Sequence, residues 1–279
     1  MKRIFVFLLL LSFLLSGCNR DTVVPEETVV ETIIETQTVP TTQPPTEPTT
    51  IPTTEPDLSI SVPAGDHKDS YSDEETGDYL DYYLFVPENA AKDMPLIIYL
   101  HGDGRCTNNV DALVDNMVIT RSKEIYGEDF PYIVLAPSTR VQSWIKGTIP
   151  GTLMGLIEHI VDECEIDRDK VIITGYSRGS IGLWHMISTY GSYFSAAVPV
   201  SCGSENPLNI ENCCQVPIRG FVGNGNYNES AYYWAMKHNM ERIFEAGGNV
   251  ELVLLSGKIH SQTQALAYTE ETFEWMLAQ

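Results

Sequence analysis

Between residues 80 and 257, short apolar runs recur, each closed by glycine, proline or a polar residue. They are "LDYYLFVP" (80–87), "PLIIYLHG" (95–102), "YIVLAP" (132–137), "KVIITG" (170–175), "AAVPVS" (196–201), "IRGFVG" (218–223) and "VELVLLSG" (250–257). Their β-branched and aromatic content and their length predict strands. Between them the period lengthens. Leu153, Leu156, Ile157, Ile160, Val161 and Cys164 fall at i, i+3, i+4, i+7, i+8 and i+11, which predicts a helix over 152–164. A second helix is predicted over 230–246, ending at Gly247–Gly248 where a left-handed cap is expected, and a third over 263–278. Strands alternating with helices predict an α/β fold, a mostly parallel sheet with helices on both faces. In such folds ligands bind beyond the carboxyl ends of the strands.

One of those ends reads "VIITGYSRGS" (171–180), in which Ser177 stands between Gly175 and Gly179. Val171 to Thr174 read as buried strand, and the chain after Gly179 reads as helix, with Ile181, Trp184, His185 and Ile187–Ser188 on one side. A strand turning directly into a helix around G-x-S-x-G lifts the serine hydroxyl above the sheet. The glycines are needed because a Cβ at either position would meet neighbouring backbone. The amide of Arg178 and the positive end of the helix then face charge developing on a substrate oxygen. This favours Ser177 as a nucleophile over a plain strand-to-helix turn.

The ends of the chain and its composition alter the picture outside this region. Lys2 and Arg3 precede the apolar stretch Ile4–Leu15, which is short for a membrane span and ends in "LLSGC". That pattern resembles a bacterial lipoprotein signal of residues 1–17, with Cys18 carrying the lipid; an ordinary signal peptide is the alternative. Residues 40–57 contain six prolines and seven threonines, too little apolar surface to offset the entropy of ordering. Residues 18–65 are therefore expected to be an extended linker with a reach of roughly 100 Å, its threonines open to O-glycosylation. The repeated Glu-Thr-apolar-apolar text before residue 40 also suits a transient strand or helix. Formal charge is −21; the leader carries +2 and residues 19–65 carry −7, leaving −16 on 66–279. Such acidity argues against nucleic acid and against anionic lipid, so membrane contact is expected through the anchor alone. The six cysteines include Cys18, and the odd remainder leaves at least one thiol; Cys164, on the apolar side of its helix, reads as buried. No Cys/His spacing suggests a zinc site, and no cofactor is expected.

From about residue 79 onward the chain resembles the α/β-hydrolases. More narrowly, it resembles the secreted esterases that include poly(3-hydroxybutyrate) depolymerase-like, feruloyl and acetyl-xylan esterases. The matching text is "MPLIIYLHGDG", "IVLAPSTRVQSW", "DRDKVIITGYSRGSIGLWHM", "FSAAVPVSCG", "QVPIRGFVGNGN" and "GGNVELVLLSGKIHSQTQ". The resemblance implies Ser177 as nucleophile and His260, after the last strand, as general base; His238, inside a helix, reads as a surface residue. It implies an oxyanion hole from the amides of Arg178 and the Gly102–Asp103 loop, with His101 structural. The family's acid position is occupied by Asn226, in "VGNGN". Three readings stay open: Glu229 reaches back to the histidine, Glu205 supplies the carboxylate from a neighbouring strand end, or Asn226 itself orients His260 or the site is degenerate. The Arg178 side chain is expected to be tied to an acid, Glu205 or Asp103, rather than to contact an acidic substrate. Trp144, Tyr176 and Tyr227 are candidates for lining a substrate pocket, or for packing. The implied function is hydrolysis of carboxylic esters, with carbohydrate-linked acyl groups and polysaccharide among the candidate substrates, at the extracellular face of a bacterial membrane. A non-catalytic surface binding protein and a serine peptidase of the same fold are the alternatives.

Overall fold

The computed structural model describes residues 30–32, 59–105, 109–141 and 143–279, with the backbone alone at 30–32 and 105. The leader, Cys18 and Cys106 lie outside the described residues, as does the linker apart from 30–32 and 59–65. The sheet comprises β1 (Val30–Thr32), β2 (Gly65–Ser72), β3 (Tyr79–Val86), β4 (Leu96–Leu100), β5 (Ile133–Ser138), β6 (Val171–Tyr176), β7 (Ala196–Val200), β8 (Ile218–Gly223) and β9 (Val250–Leu255). Their spatial order is β1-β9-β8-β7-β6-β4-β5-β3-β2. All pairs from β5 through β9 are parallel, and β1, β2 and β3 join antiparallel at the edges.

Strand alternation splits the core in two. Leu96, Ile98 and Leu100 with Val171 and Ile173 face α2 (Ile149–Glu163), α3 (Arg178–Tyr190) and α5 (Tyr227–Glu245). Ile97, Tyr99 and Ile172 face the other way, toward α1 (Met117–Tyr126), α6 (His260–Ala267) and α7 (Glu270–Leu277). A short α4 (Ile210–Cys213) precedes β8. The apolar stripe read on 152–164 is buried as expected, and the Cys164 thiol is pushed up to about 12, chiefly by burial.

Several expectations are revised. The polar segment 65–72 forms edge strand β2, outside the predicted set because both its faces are hydrophilic. Ile60 and Val62 already pack on the core, so the folded unit begins ahead of residue 66. Three residues of the segment read as linker pair with β9 as β1. On α3 the buried side is Leu183, Trp184, Met186 and Ile187, while Ile181, His185 and Ser188 are half-buried. The helix predicted over 263–278 is two helices. Tyr268 leaves helical backbone to bury its ring, its hydroxyl lying 2.9 Å from Thr174 Oγ1, and Thr269 caps α7. Gly247, with φ 98°, makes the expected left-handed turn after α5.

Candidate active site

Ser177 sits between β6 and α3 with φ 56° and ψ −118°, a conformation that a residue with a Cβ adopts only when its surroundings impose it. The Ser177 N–H donates to the Val200 carbonyl at 2.9 Å, and the Ser180 N–H returns to the Ser177 carbonyl at 3.0 Å. A Cβ on Gly175 would overlap the Gly179 carbonyl, and one on Gly179 would overlap the Leu100 carbonyl. The elbow glycines are therefore required by contact.

His260 opens α6, just past β9. Its Nε2 lies 2.7 Å from Ser177 Oγ and its Nδ1 lies 3.0 Å from Glu229 Oε1. With Glu229 ionised, Nδ1–H donates to the carboxylate and Nε2 is left to accept from the serine hydroxyl. Its carbonyl accepts from the Tyr176 hydroxyl at 2.9 Å and from Thr263 Oγ1 at 2.8 Å. Two rings lie near the imidazole, Tyr176 at 5.0 Å and Tyr232 at 5.3 Å between centroids.

Glu229, in the first turn of α5, is 1% exposed, and its Oε2 has no hydrogen-bond partner. Burial pushes its carboxyl above the ordinary carboxylate range, and the adjoining His260 pulls partly the other way. Asn226, at the acid position that the resemblance implies, does not serve the histidine. It is the N-cap of α5, where its Oδ1 accepts from the Glu229 N–H at 3.0 Å. The residue in the expected place thus starts the helix that delivers the carboxylate one turn later. In the same "VGNGN" text, the Gly225 N–H donates to the Lys258 carbonyl at 2.9 Å, an approach that a Cβ would block against the Gly257 carbonyl. This ties the loop before α5 to the turn before His260. Glu205 lies exposed in the loop after β7, and Glu229 already occupies the histidine's Nδ1, so the Glu205 reading is set aside.

On the opposite side of Ser177, Gly102 approaches so closely that a Cβ would lie 3.2 Å from the serine Cβ. Buried His101 accepts the Thr139 N–H at Nε2 (3.3 Å), so Nδ1–H donates to the Gly102 carbonyl (2.8 Å). A trans peptide then sends the Asp103 N–H the other way. The Arg178 guanidinium pairs with Asp103 through Nε–Oδ1 and through Nη2–Oδ2 at 2.9 Å, the second of the two ties expected.

The pocket candidates divide. Tyr176 stands beside His260. Trp144 is corrected to a packing residue: it is 1% exposed, donates its indole N–H to the His101 carbonyl at 3.0 Å, and lies against Gly182. Tyr227 is 89% exposed on α5, and His238 is exposed further along it. Sequence reasoning missed Tyr232, whose signal was its position three residues after Glu229 on one helical face. It also missed Cys202, which follows β7 beside Ser177 and whose thiol burial pushes up to about 12. Among the described residues Cys164, Cys202, Cys213 and Cys214 are unpaired thiols, no group of three or more His, Cys, Asp or Glu could hold a metal ion, and no helix is long and apolar enough to cross a membrane.

A parallel sheet crossed by a serine elbow, with histidine and acid arriving from the last two strand ends, defines the α/β-hydrolase fold. Within that fold, the solved structures it resembles include several esterases. A thermostable esterase superposes with TM-score 0.64 at 24% identity, over 77% of this chain and 63% of that one. An acetyl xylan esterase from Aspergillus awamori gives 0.58 at 15%, over 75% and 98%, and the feruloyl esterase module from Clostridium thermocellum gives 0.56 at 14%, over 78% and 90%. Acetylxylan esterase A of Emericella nidulans is 24% identical over 134 residues, 43% of each chain. A bifunctional acetylxylan esterase/xylanase of Neocallimastix patriciarum is 24% identical over 161 residues, 57% of this chain and 23% of that protein. The chain thus spans under half the length of these curated relatives. No protein-family profile matches it.

Proposed function

We propose that this protein is a serine esterase that hydrolyses carboxylic esters through Ser177, His260 and Glu229. The observation that carries the reading is the unbroken relay Ser177 Oγ–His260 Nε2 at 2.7 Å and His260 Nδ1–Glu229 Oε1 at 3.0 Å. Ser177 Oγ attacks the ester carbonyl while His260 Nε2 takes its proton. The buried Glu229 carboxylate stabilises the imidazolium that forms, and the tetrahedral oxyanion lies against the amides of Arg178 and the Gly102–Asp103 loop. His260 then protonates the departing alkoxide, leaving an acyl-serine. A water deprotonated by the same nitrogen releases the acid. The capping role of Asn226, with Glu229 on His260, supports this reading over a non-catalytic binding protein.

Two observations support an ester carried on carbohydrate. Tyr227 and Trp234, 89% and 63% exposed, lie two turns apart on the outer face of α5, about 10 Å along the helix that supplies the acid. With Ala231 between them they form an uncharged aromatic stripe on an otherwise acidic domain, suited to stacking on neutral sugar rings. The named relatives act on acetylated xylan. The basic–apolar leader ending at Cys18 supports a lipid-anchored enzyme at the extracellular face of a bacterial membrane. A fluorophosphonate probe should label Ser177, and Ser177→Ala should abolish both labelling and p-nitrophenyl acetate hydrolysis. An alanine variant that hydrolyses at the wild-type rate refutes the assignment. Mass spectrometry of the mature N-terminus should find lipidated Cys18, and cleavage elsewhere removes the anchor.

A further inference from the structure

Hydrogen bonding between β4 and β6 ends at the pair Leu100–Gly175. Beyond that rung the two segments run on as His101–Gly102–Asp103 and Tyr176–Ser177–Arg178, and the sheet ladder no longer sets their spacing. These are the segments whose amides face the oxyanion in the reading above. One ion pair crosses between them, made by the side chains of Arg178 and Asp103. Arg178, first in α3, meets Asp103, first in the turn Asp103–Arg105, through two parallel contacts. A planar guanidinium paired fork-to-fork with a carboxylate fixes orientation as well as distance, which a lysine ammonium does not.

We propose that the Arg178–Asp103 ion pair is a positioning clamp that sets the width of the oxyanion hole, a role that rests on the serine-esterase reading. Each partner acts through its own backbone. Pulling the two side chains together holds the Asp103 amide, already aimed by the His101–Gly102 contact, at a constant separation from the Arg178 amide across Ser177. The pair is 34% and 49% exposed, and an ion pair in that setting adds little to fold stability. Its effect therefore falls on the rate rather than on melting, and salt screens it.

The test uses the full-length chain with p-nitrophenyl acetate, comparing wild type, Asp103→Asn, Arg178→Gln, Arg178→Lys and the Asp103→Asn/Arg178→Gln double variant. Loss of a whole oxyanion donor costs about 10²–10³ in kcat, so loosening two donors is expected to cost about tenfold. Each single variant should show that loss in kcat with KM within about twofold, and the double variant should be no worse than either single one. Arg178→Lys should fail to restore the rate. Affinity for an alkyl boronic acid, which mimics the tetrahedral oxyanion, should fall by the same factor as kcat. Added salt should slow wild type and leave the double variant unchanged. Additive losses, a wild-type rate in the single variants, or a KM rise on an anionic ester confined to the Arg178 variants would each overturn the clamp. Labelling and hydrolysis by wild type separate the two levels. If wild type does neither, the esterase reading and the clamp fall together; if it does both and the variants match it, the clamp alone falls.

Discussion

The serine and the acid reach His260 by opposite means. Ser177 is fixed by backbone: a strained φ of 56°, two glycines that admit no Cβ, and a main-chain bond to Val200. Glu229 is fixed by a side chain: one turn of helix, started by the Asn226 cap, swings a long carboxylate into a buried position. A nucleophile must meet a carbonyl along a defined line, so its main chain is constrained. An acid that only needs to touch an imidazole N–H can be supplied from any position within reach. The difference teaches that the nucleophile's motif is tied to one sequence position, whereas the acid is free to shift along a helix.

Substitutions at the two positions sharpen that contrast. After Ser177→Ala, the largest effect is expected at Glu229. Glu229→Gln should lower kcat by about 10⁴, the loss seen when a triad keeps its geometry without the charge, or about 5.5 kcal/mol of barrier. Steady-state kinetics with active-site titration check this; a loss under tenfold would leave the histidine without need of its partner. The same variant should melt higher than wild type, because it removes a buried carboxylate with an unpaired oxygen. The sign follows from the raised carboxyl. Its contribution to stability is full below the ordinary carboxylate range and is lost as pH rises through the folded value. The melting advantage of the variant should therefore be wider near about pH 8 than near about pH 4 in calorimetry.

On the serine side, Gly179→Ala drives a methyl into the Leu100 carbonyl and should cost about 4 kcal/mol or more, measured by urea unfolding. Ser177→Gly should be more stable than Ser177→Ala by about 1 kcal/mol, because glycine accepts the strained backbone at little cost. Equal stabilities would mean that the elbow is not strained. The smallest effect belongs to the cap. Asn226→Ala should cost about 1 kcal/mol, with a modest fall in kcat. Asn226→Asp should preserve stability and leave activity near wild type; a large rise in activity would return the orienting role to position 226.

Legibility in the sequence followed the same division. The strands at 171–176 and 218–223, the stripe on α2 and the elbow were readable, because each is declared by contiguous residues whose burial follows one period. The fold class followed from their alternation. Glu229 was only one reading among three, since its role depends on where α5 begins, and the helix starts three residues ahead of the predicted boundary. The helix break at Tyr268 was hidden because a buried tyrosine inside an apolar period looks like continuation. Trp144 stayed open between lining and packing for a related reason: a tryptophan near a site can line it or support it from below, and only the indole bond to the His101 carbonyl decides. Strand β2 left no apolar signal, as suits a charged edge that discourages pairing with a second sheet.

The first turn of a helix is where fraying begins, and here that turn carries the carboxylate hydrogen-bonded to His260. On warming, the proposed esterase should therefore lose turnover while the sheet is still intact. Its working temperature would then be set at Asn226 and not by the core. A thermostable variant engineered through the core alone would keep its shape and still fall silent at the old temperature.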